Sequence, residues 1–161
     1  MSAGGAEPGA ERRLIDDGRC FACGPFSVDG LHLRFEPDGE NAVRALITLA
    51  PRFQGWRGVA QGGIVMTLLD EAMAHACGAA GERGMTASMQ TRFRAPVPLG
   101  VPLAVRGWLK WHRRNVLALE ASVTRADDGT VLATAEGSFV SYGPLGEARL
   151  GSPNVAALSR S

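Results

Sequence analysis

The sequence predicts an α+β fold in which a curved antiparallel sheet of about six strands wraps around one long central helix. Three observations predict it. An alternating stretch, a tight turn and a second alternating stretch over residues 31–50 read as a β-hairpin. The run Gln61-Gly62-Gly63-Ile64-Val65-Met66-Thr67-Leu68-Leu69-Asp70-Glu71-Ala72-Met73-Ala74 is apolar almost all round, the mark of a buried helix. From about Thr86 onward the chain reads as four strands joined by turns, which requires antiparallel neighbours in meander order. No second helix covers the other face or the edge of such a sheet, so pairing with another copy of the chain is expected.

In chain order, residues 1–19 read as a Gly/Ala/Glu-rich tail followed by a short helix over 12–19 that ends at Gly18. The main domain is expected over 20–142. It opens with Cys20-Phe21-Ala22-Cys23-Gly24-Pro25 and Asp29-Gly30, the composition of a structured loop. Leu31, Leu33 and Phe35 alternate with His32, Arg34 and Glu36, the period of a half-buried strand. Pro37-Asp38-Gly39-Glu40 is a turn, and Val43, Ala45, Ile47 and Leu49 form one face of the next strand. A loop rich in glycine and aromatics (Phe53, Gln54, Gly55, Trp56, Gly58) leads into the helix, expected over 63–77 with Gly78 and Gly81 able to end it. Strands then follow over 85–95, 103–112, 115–125 and 130–141, with Asp127-Asp128-Gly129 as a hairpin turn. Trp108 and Trp111, three apart in one strand, are expected on opposite faces. Residues 143–161, rich in Gly, Pro, Ala and Ser, read as a flexible tail.

Composition excludes several classes. At 161 residues and 45% hydrophobic content there is room for one domain with a real core. A net charge of +1 lacks the basic stripe of a nucleic-acid binder, so no nucleic-acid partner is expected. No run reaches the length of a membrane span and residues 1–13 lack a signal's apolar core, so neither membrane nor secretion is expected. Three cysteines, an odd number, suggest no disulfide framework, and a cytoplasmic location follows. Cys20 and Cys23 have zinc-like spacing, but the remaining candidates Cys77, His32, His75 and His112 follow no ligand pattern, so no metal is expected.

Four segments carry a family resemblance: Cys20-Phe21-Ala22-Cys23-Gly24-Pro25 with Gly30-Leu31-His32-Leu33; Phe53-Gln54-Gly55-Trp56; Gln61-Gly62-Gly63 through Leu69-Asp70-Glu71-Ala72; and Arg92-Phe93-Arg94-Ala95-Pro96-Val97-Pro98-Leu99-Gly100. In order and spacing the sequence resembles the hotdog-fold acyl-CoA thioesterases, most closely the PaaI-like, phenylacetate-pathway branch. The resemblance implies a homodimer or a dimer of dimers with active sites at the dimer interface, an acyl-CoA substrate, and neither a metal nor an organic cofactor.

On this reading, Gly62 and Gly63 present unpaired N–H groups and a positive dipole at the helix start, where a thioester carbonyl and its oxyanion are stabilised. Asp70 lies two turns along on nearly the same face and is the candidate nucleophile or general base; the alternative is a buried aspartate holding a loop. Glu71 is the second choice of acid or base, its other reading being a helical pair with His75. Gln61 stands where many relatives carry histidine; its amide can donate to the carbonyl but cannot take up a proton. Gln54 is a candidate for orienting water or substrate. In similar enzymes a strand hydroxyl after the helix reaches the partner chain's site, and Thr86 matches that place better than Ser88. Arg92, Arg94 and Arg113, with Arg114, are candidate partners for the phosphates of coenzyme A. The rival reading is a non-catalytic acyl-CoA-binding hotdog protein.

Overall fold

The computed structural model describes residues 14–145. The tail expected over 1–11 and most of the one expected from 143 lie outside the described residues. The elements are β1 (Glu36–Pro37), β2 (Ala42–Thr48), α1 (Gly62–Ala79), β3 (Glu82–Phe93), β4 (Pro102–Arg113), β5 (Val116–Arg125) and β6 (Val131–Pro144). All strand pairs are antiparallel, in the spatial order β1-β2-β4-β5-β6-β3. The sheet curls around α1, the hotdog arrangement expected from the sequence.

The core lies between α1 and the inner face of the sheet. Val65, Leu68, Leu69, Ala72, Met73, Ala76 and Cys77 bury one side of the helix against Val43, Ala45, Leu103, Val105, Leu117, Leu119, Val123 and Phe139. Two strand glycines let the helix come close. A Cβ at Gly107 would fall 2.5 Å from the carbonyl carbon of Ala72, and one at Gly137 would fall 3.0 Å from the Met73 sulfur. A glycine within a strand is the sign of such an approach. The opposite side of α1, carrying Met66, Thr67, Asp70, Glu71, Ala74 and His75, is only partly covered within one chain. The helix ends at Ala79 with Ala80 as its C-cap, and Gly81 just beyond is left-handed at φ +86°, so Gly78 remains inside the helix.

Several sequence expectations need correction. Residues 14–19 form no helix. Instead the Asp16 and Asp17 carboxylates accept the N–H groups of Gly18 and Arg19, local bonds that compete with helical ones. The alternation of Leu31, Leu33 and Phe35 is a true burial pattern, but the strand itself is only Glu36–Pro37. Residues 31 and 33 bond back to the cysteine loop, with Leu31 N–H donating to the Phe21 carbonyl and Leu33 N–H to that of Ala22, both at 2.8 Å.

The last four strands are not a simple meander. β4-β5-β6 is one, but β3 pairs with β6 while β4 pairs with β2. The segment over 94–101, with Pro96 and Pro98, is a crossing connection rather than a hairpin turn. It packs on the loop before α1 through Ala60 N–H to Val97 (2.8 Å) and Leu99 N–H to Gly58 (3.1 Å). This anchors the helix start at one end of the sheet.

Two β-bulges redirect side chains. A register shift lies between Leu109 and Trp111, so Trp108 faces Glu120 and Trp111 faces Ala118, both on the outer face of the sheet. The tryptophans therefore share a face, and neither points toward the helix. A second shift, at Ala87, pairs Thr86 with Phe139 on the inner face and Ser88 with Ser138 on the outer.

Candidate active site

The helix start is built by its own cap. The loop from Phe53 to Gln61 closes on itself: Gln54 bridges to Ala60, its Oε1 accepts the Gly58 N–H at 2.9 Å, and Gln61 N–H donates to the Phe53 carbonyl at 2.9 Å. Gln54 thus shapes the loop through its amide oxygen. Gln61 is the N-cap of α1, and its Oε1 accepts the Ile64 N–H at 3.2 Å. A Cβ at Gly63 would lie 2.8 Å from that same Oε1, so the glycine makes room for the cap. Gly62 is under no such constraint; a Cβ there would meet the Phe93 ring at 3.7 Å, an ordinary contact. Both glycines are exposed, and among the described residues neither N–H has a partner. Beside them lies a groove of about 370 Å³ lined by Val59, Gly62, Phe93, Arg94 and Val97.

Two turns further along, the Thr86 hydroxyl donates to Asp70 Oδ1 at 2.6 Å. The bond joins helix to strand within one chain, so Asp70 and Thr86 move as one unit. Burial pushes the Asp70 carboxyl above its ordinary range; the Thr86 hydroxyl offsets part of this, and the adjacent Glu71 charge adds to it. Glu71 goes the other way. Burial works to raise it, but hydrogen bonds from His75, Cys23 and Cys20 together carry it below the ordinary range. His75 Nε2 lies 3.1 Å from Glu71 Oε1, the helical pair the sequence suggested. Neighbouring carboxylates whose environments drive them apart fall naturally into two roles, with Asp70, the raised one, the better suited of the two to hold a proton.

The structure does not bring every candidate together. Ser88 shares a hydrogen bond of 2.7 Å with Ser138 on the outer face, because the extra residue at Ala87 turns it away from Asp70. It lines a concavity of about 400 Å³ with Trp111, Glu120 and Glu136, larger than the groove at the helix start but on the face that α1 does not touch. Arg92, paired with Thr134 two positions from Gln90, also points outward. Arg113 lies over the Trp111 ring at the far end of β4, with β5 and β6 between it and β3. Of the arginines proposed for phosphate contact, only Arg94 borders the helix-start groove.

Two groups were not foreseen. Phe93, 54% exposed, stands beside Gly62; its signal was its place in the Arg92-Phe93-Arg94 segment. The thiols of Cys20 and Cys23 lie within 4.8 Å of Glu71, a juxtaposition that sequence spacing cannot reveal.

Thr86→Val tests the electrostatics directly. Activity that needs ionised Asp70 rises with pH through the Asp70 pKa, and the Thr86 hydroxyl favours the ionised form. Losing it moves the acid limb of the pH–rate profile to higher pH; an unmoved limb would separate Asp70 from the titration that controls rate.

A curved antiparallel sheet wrapped on one long helix is the hotdog fold. The thioesterase superfamily profile matches residues 57–132. A solved thioesterase superfamily protein is 31% identical, with a TM-score of 0.73 over 83% of this chain and 68% of that one. The acyl-coenzyme A thioesterase THEM4 of Bos taurus is 29% identical over 138 residues, 82% of this chain and 57% of its own length. The chain therefore spans little more than half of that curated relative. The PaaI protein of E. coli, from the phenylacetic acid degradation operon, shares the fold with a TM-score of 0.65 at 17% identity, over 71% of this chain and 82% of its own. The chain belongs to the thioesterase superfamily. Among the described residues, no helix is long and apolar enough to cross a membrane.

Proposed function

We propose that the protein hydrolyses an acyl- or aryl-CoA thioester to a carboxylic acid and free coenzyme A. The observation that carries this is Asp70, held by the Thr86 hydroxyl of β3, on the same helix whose first N–H groups, at Gly62 and Gly63, have no partner among the described residues. The N–H groups and the helix dipole stabilise the oxyanion. Asp70 attacks the carbonyl carbon or takes the proton of the attacking water. The Gln61 NH₂, which the cap does not use, donates to the same carbonyl. Arg94 is placed for a phosphate of coenzyme A, and THEM4, described as an acyl-CoA thioesterase, supports the substrate class.

The site is read as shared between two chains. Seven helical residues rise about 10 Å, more than one carbonyl bond with a hydrogen bond at one end and an attacking oxygen about 3 Å from the other can comfortably span. The helix start of one protomer therefore works with Asp70 of a second copy. The partly covered side of α1 and the unpaired outer edge of β3, where Thr86, Ala87 and Ser88 are exposed, favour this. A solution mass of twice or four times 16.9 kDa is expected by light scattering; a monomer that turns over would overturn the shared site. A cytoplasmic setting, where thiols stay reduced, suits the three free cysteines.

Gln61 favours one rival, a protein that binds acyl-CoA without cleaving it. Thiol release measured over a panel of aliphatic and aryl acyl-CoAs decides: release supports the hydrolase, and saturable binding without release supports the rival.

A further inference from the structure

We propose that Cys20, Cys23 and Glu71 form a binding site for one divalent cation of zinc type, which clips the N-terminal loop to α1. The ligand atoms of the three residues all lie within 4.8 Å of one another. The Cys20 sulfur is 3.7 Å from Glu71 Oε1. In a tetrahedral zinc site with ordinary bond lengths, a sulfur and an oxygen ligand stand about 3.6 Å apart. Only a small contraction of the remaining distances is needed to close the three donors on one ion, with water in the fourth position.

The surroundings are built for fixed ligands. Cys-x-x-Cys is the spacing at which one turn offers two sulfurs to a metal. Here that turn is held by the Gly24 N–H donating to the Cys20 carbonyl at 2.8 Å, and it is tight enough that a Cβ on Gly24 would lie 2.5 Å from Cys20 N. The Glu71 Oε1 that faces Cys20 is also held by His75 Nε2 at 3.1 Å, and the His75 ring stacks on Phe35 with centroids 4.6 Å apart. A carboxylate ligand steadied by an outer histidine is the second layer that metal sites require.

Charge and access point the same way. The Glu71 side chain is 13% exposed, and among the described residues no lysine or arginine pairs with it. Cys20 is exposed, which gives an ion a route in. Binding would release the two thiol protons and leave two thiolates and one carboxylate around the cation, a soft and borderline donor set that selects zinc over magnesium or calcium.

The test uses the full-length reduced protein and cobalt as a visible probe. One Co²⁺ per chain should give a thiolate-to-cobalt charge-transfer band, and Zn²⁺ should abolish it. Cys20→Ser and Cys23→Ser should each lose the band, Glu71→Gln should weaken binding at least tenfold, and Cys77→Ala, whose sulfur instead faces the Glu82 carbonyl, should keep it. Should Cys23→Ser misfold, the wild type still decides, because Zn²⁺ must slow alkylation of Cys20. No band at millimolar Co²⁺, a band that survives loss of Cys20 or Cys23, or alkylation indifferent to Zn²⁺ would overturn the site. None of these readouts requires the protein to be a thioesterase.

Discussion

Asp70→Asn should lower kcat for thioester hydrolysis by about 10²–10⁴-fold, the range for loss of a positioned base. The substitution is chosen because it removes little else. Asparagine has the same shape, and its Oδ1 can still accept the Thr86 hydroxyl that Asp70 accepts at 2.6 Å. The contact between α1 and β3 therefore survives, and circular dichroism and melting should change little. Relief of a partly buried carboxylate even favours the folded variant. What is lost is the ability to hold a proton or attack a carbonyl carbon. Turnover near wild type would remove Asp70 from the chemistry. Glu71→Gln makes the contrast: that carboxylate is tied to His75 and the cysteine loop, so its loss should act first on the packing of that loop.

Gly107→Ala should be the most damaging small change in the core. The added Cβ meets the Ala72 backbone, and a helix backbone cannot swing aside as a side-chain tip can. Overpacking of this kind costs typically 1–3 kcal/mol, and a rigid obstacle places it near about 3 kcal/mol. For a domain of this size that is roughly a 10 °C loss in Tm, read by calorimetry. Gly62→Ala is the control, since its Cβ finds only ordinary contact with Phe93. An unchanged Tm in Gly107→Ala would mean that the helix does not lie against β4 as described.

The fold was legible because its signals are local. A buried helix announces itself by being apolar all round, and the Asp38-Gly39 and Asp128-Gly129 turns carry their own chemistry. Strand partnership was not legible, because nothing in β3 tells it to pair with β6 rather than β4; that is decided by β2 occupying the place beside β4. The site divides along the same line. That Gly63 and Asp70 share a helix face could be read from helical period, whereas Thr86 came only from the family resemblance. Ser88 and Trp111 were misplaced for one reason: each follows a bulge, and a single extra residue reverses every side chain beyond it. The proximity of Cys20 and Cys23 to Glu71 depends on a loop folding back across the helix, which no periodicity encodes.

The cap at the head of α1 has a consequence for the range of conditions over which the protein works. With its acceptor occupied by the Ile64 N–H, Gln61 presents only donors outward. An imidazole in that position would change charge near neutral pH, and with it the field felt by a bound carbonyl. An amide does not titrate. An amide's contribution is constant from mildly acidic to alkaline solution, so position 61 itself adds no inflection to a rate profile. The substitution exchanges an adjustable donor for an invariant one.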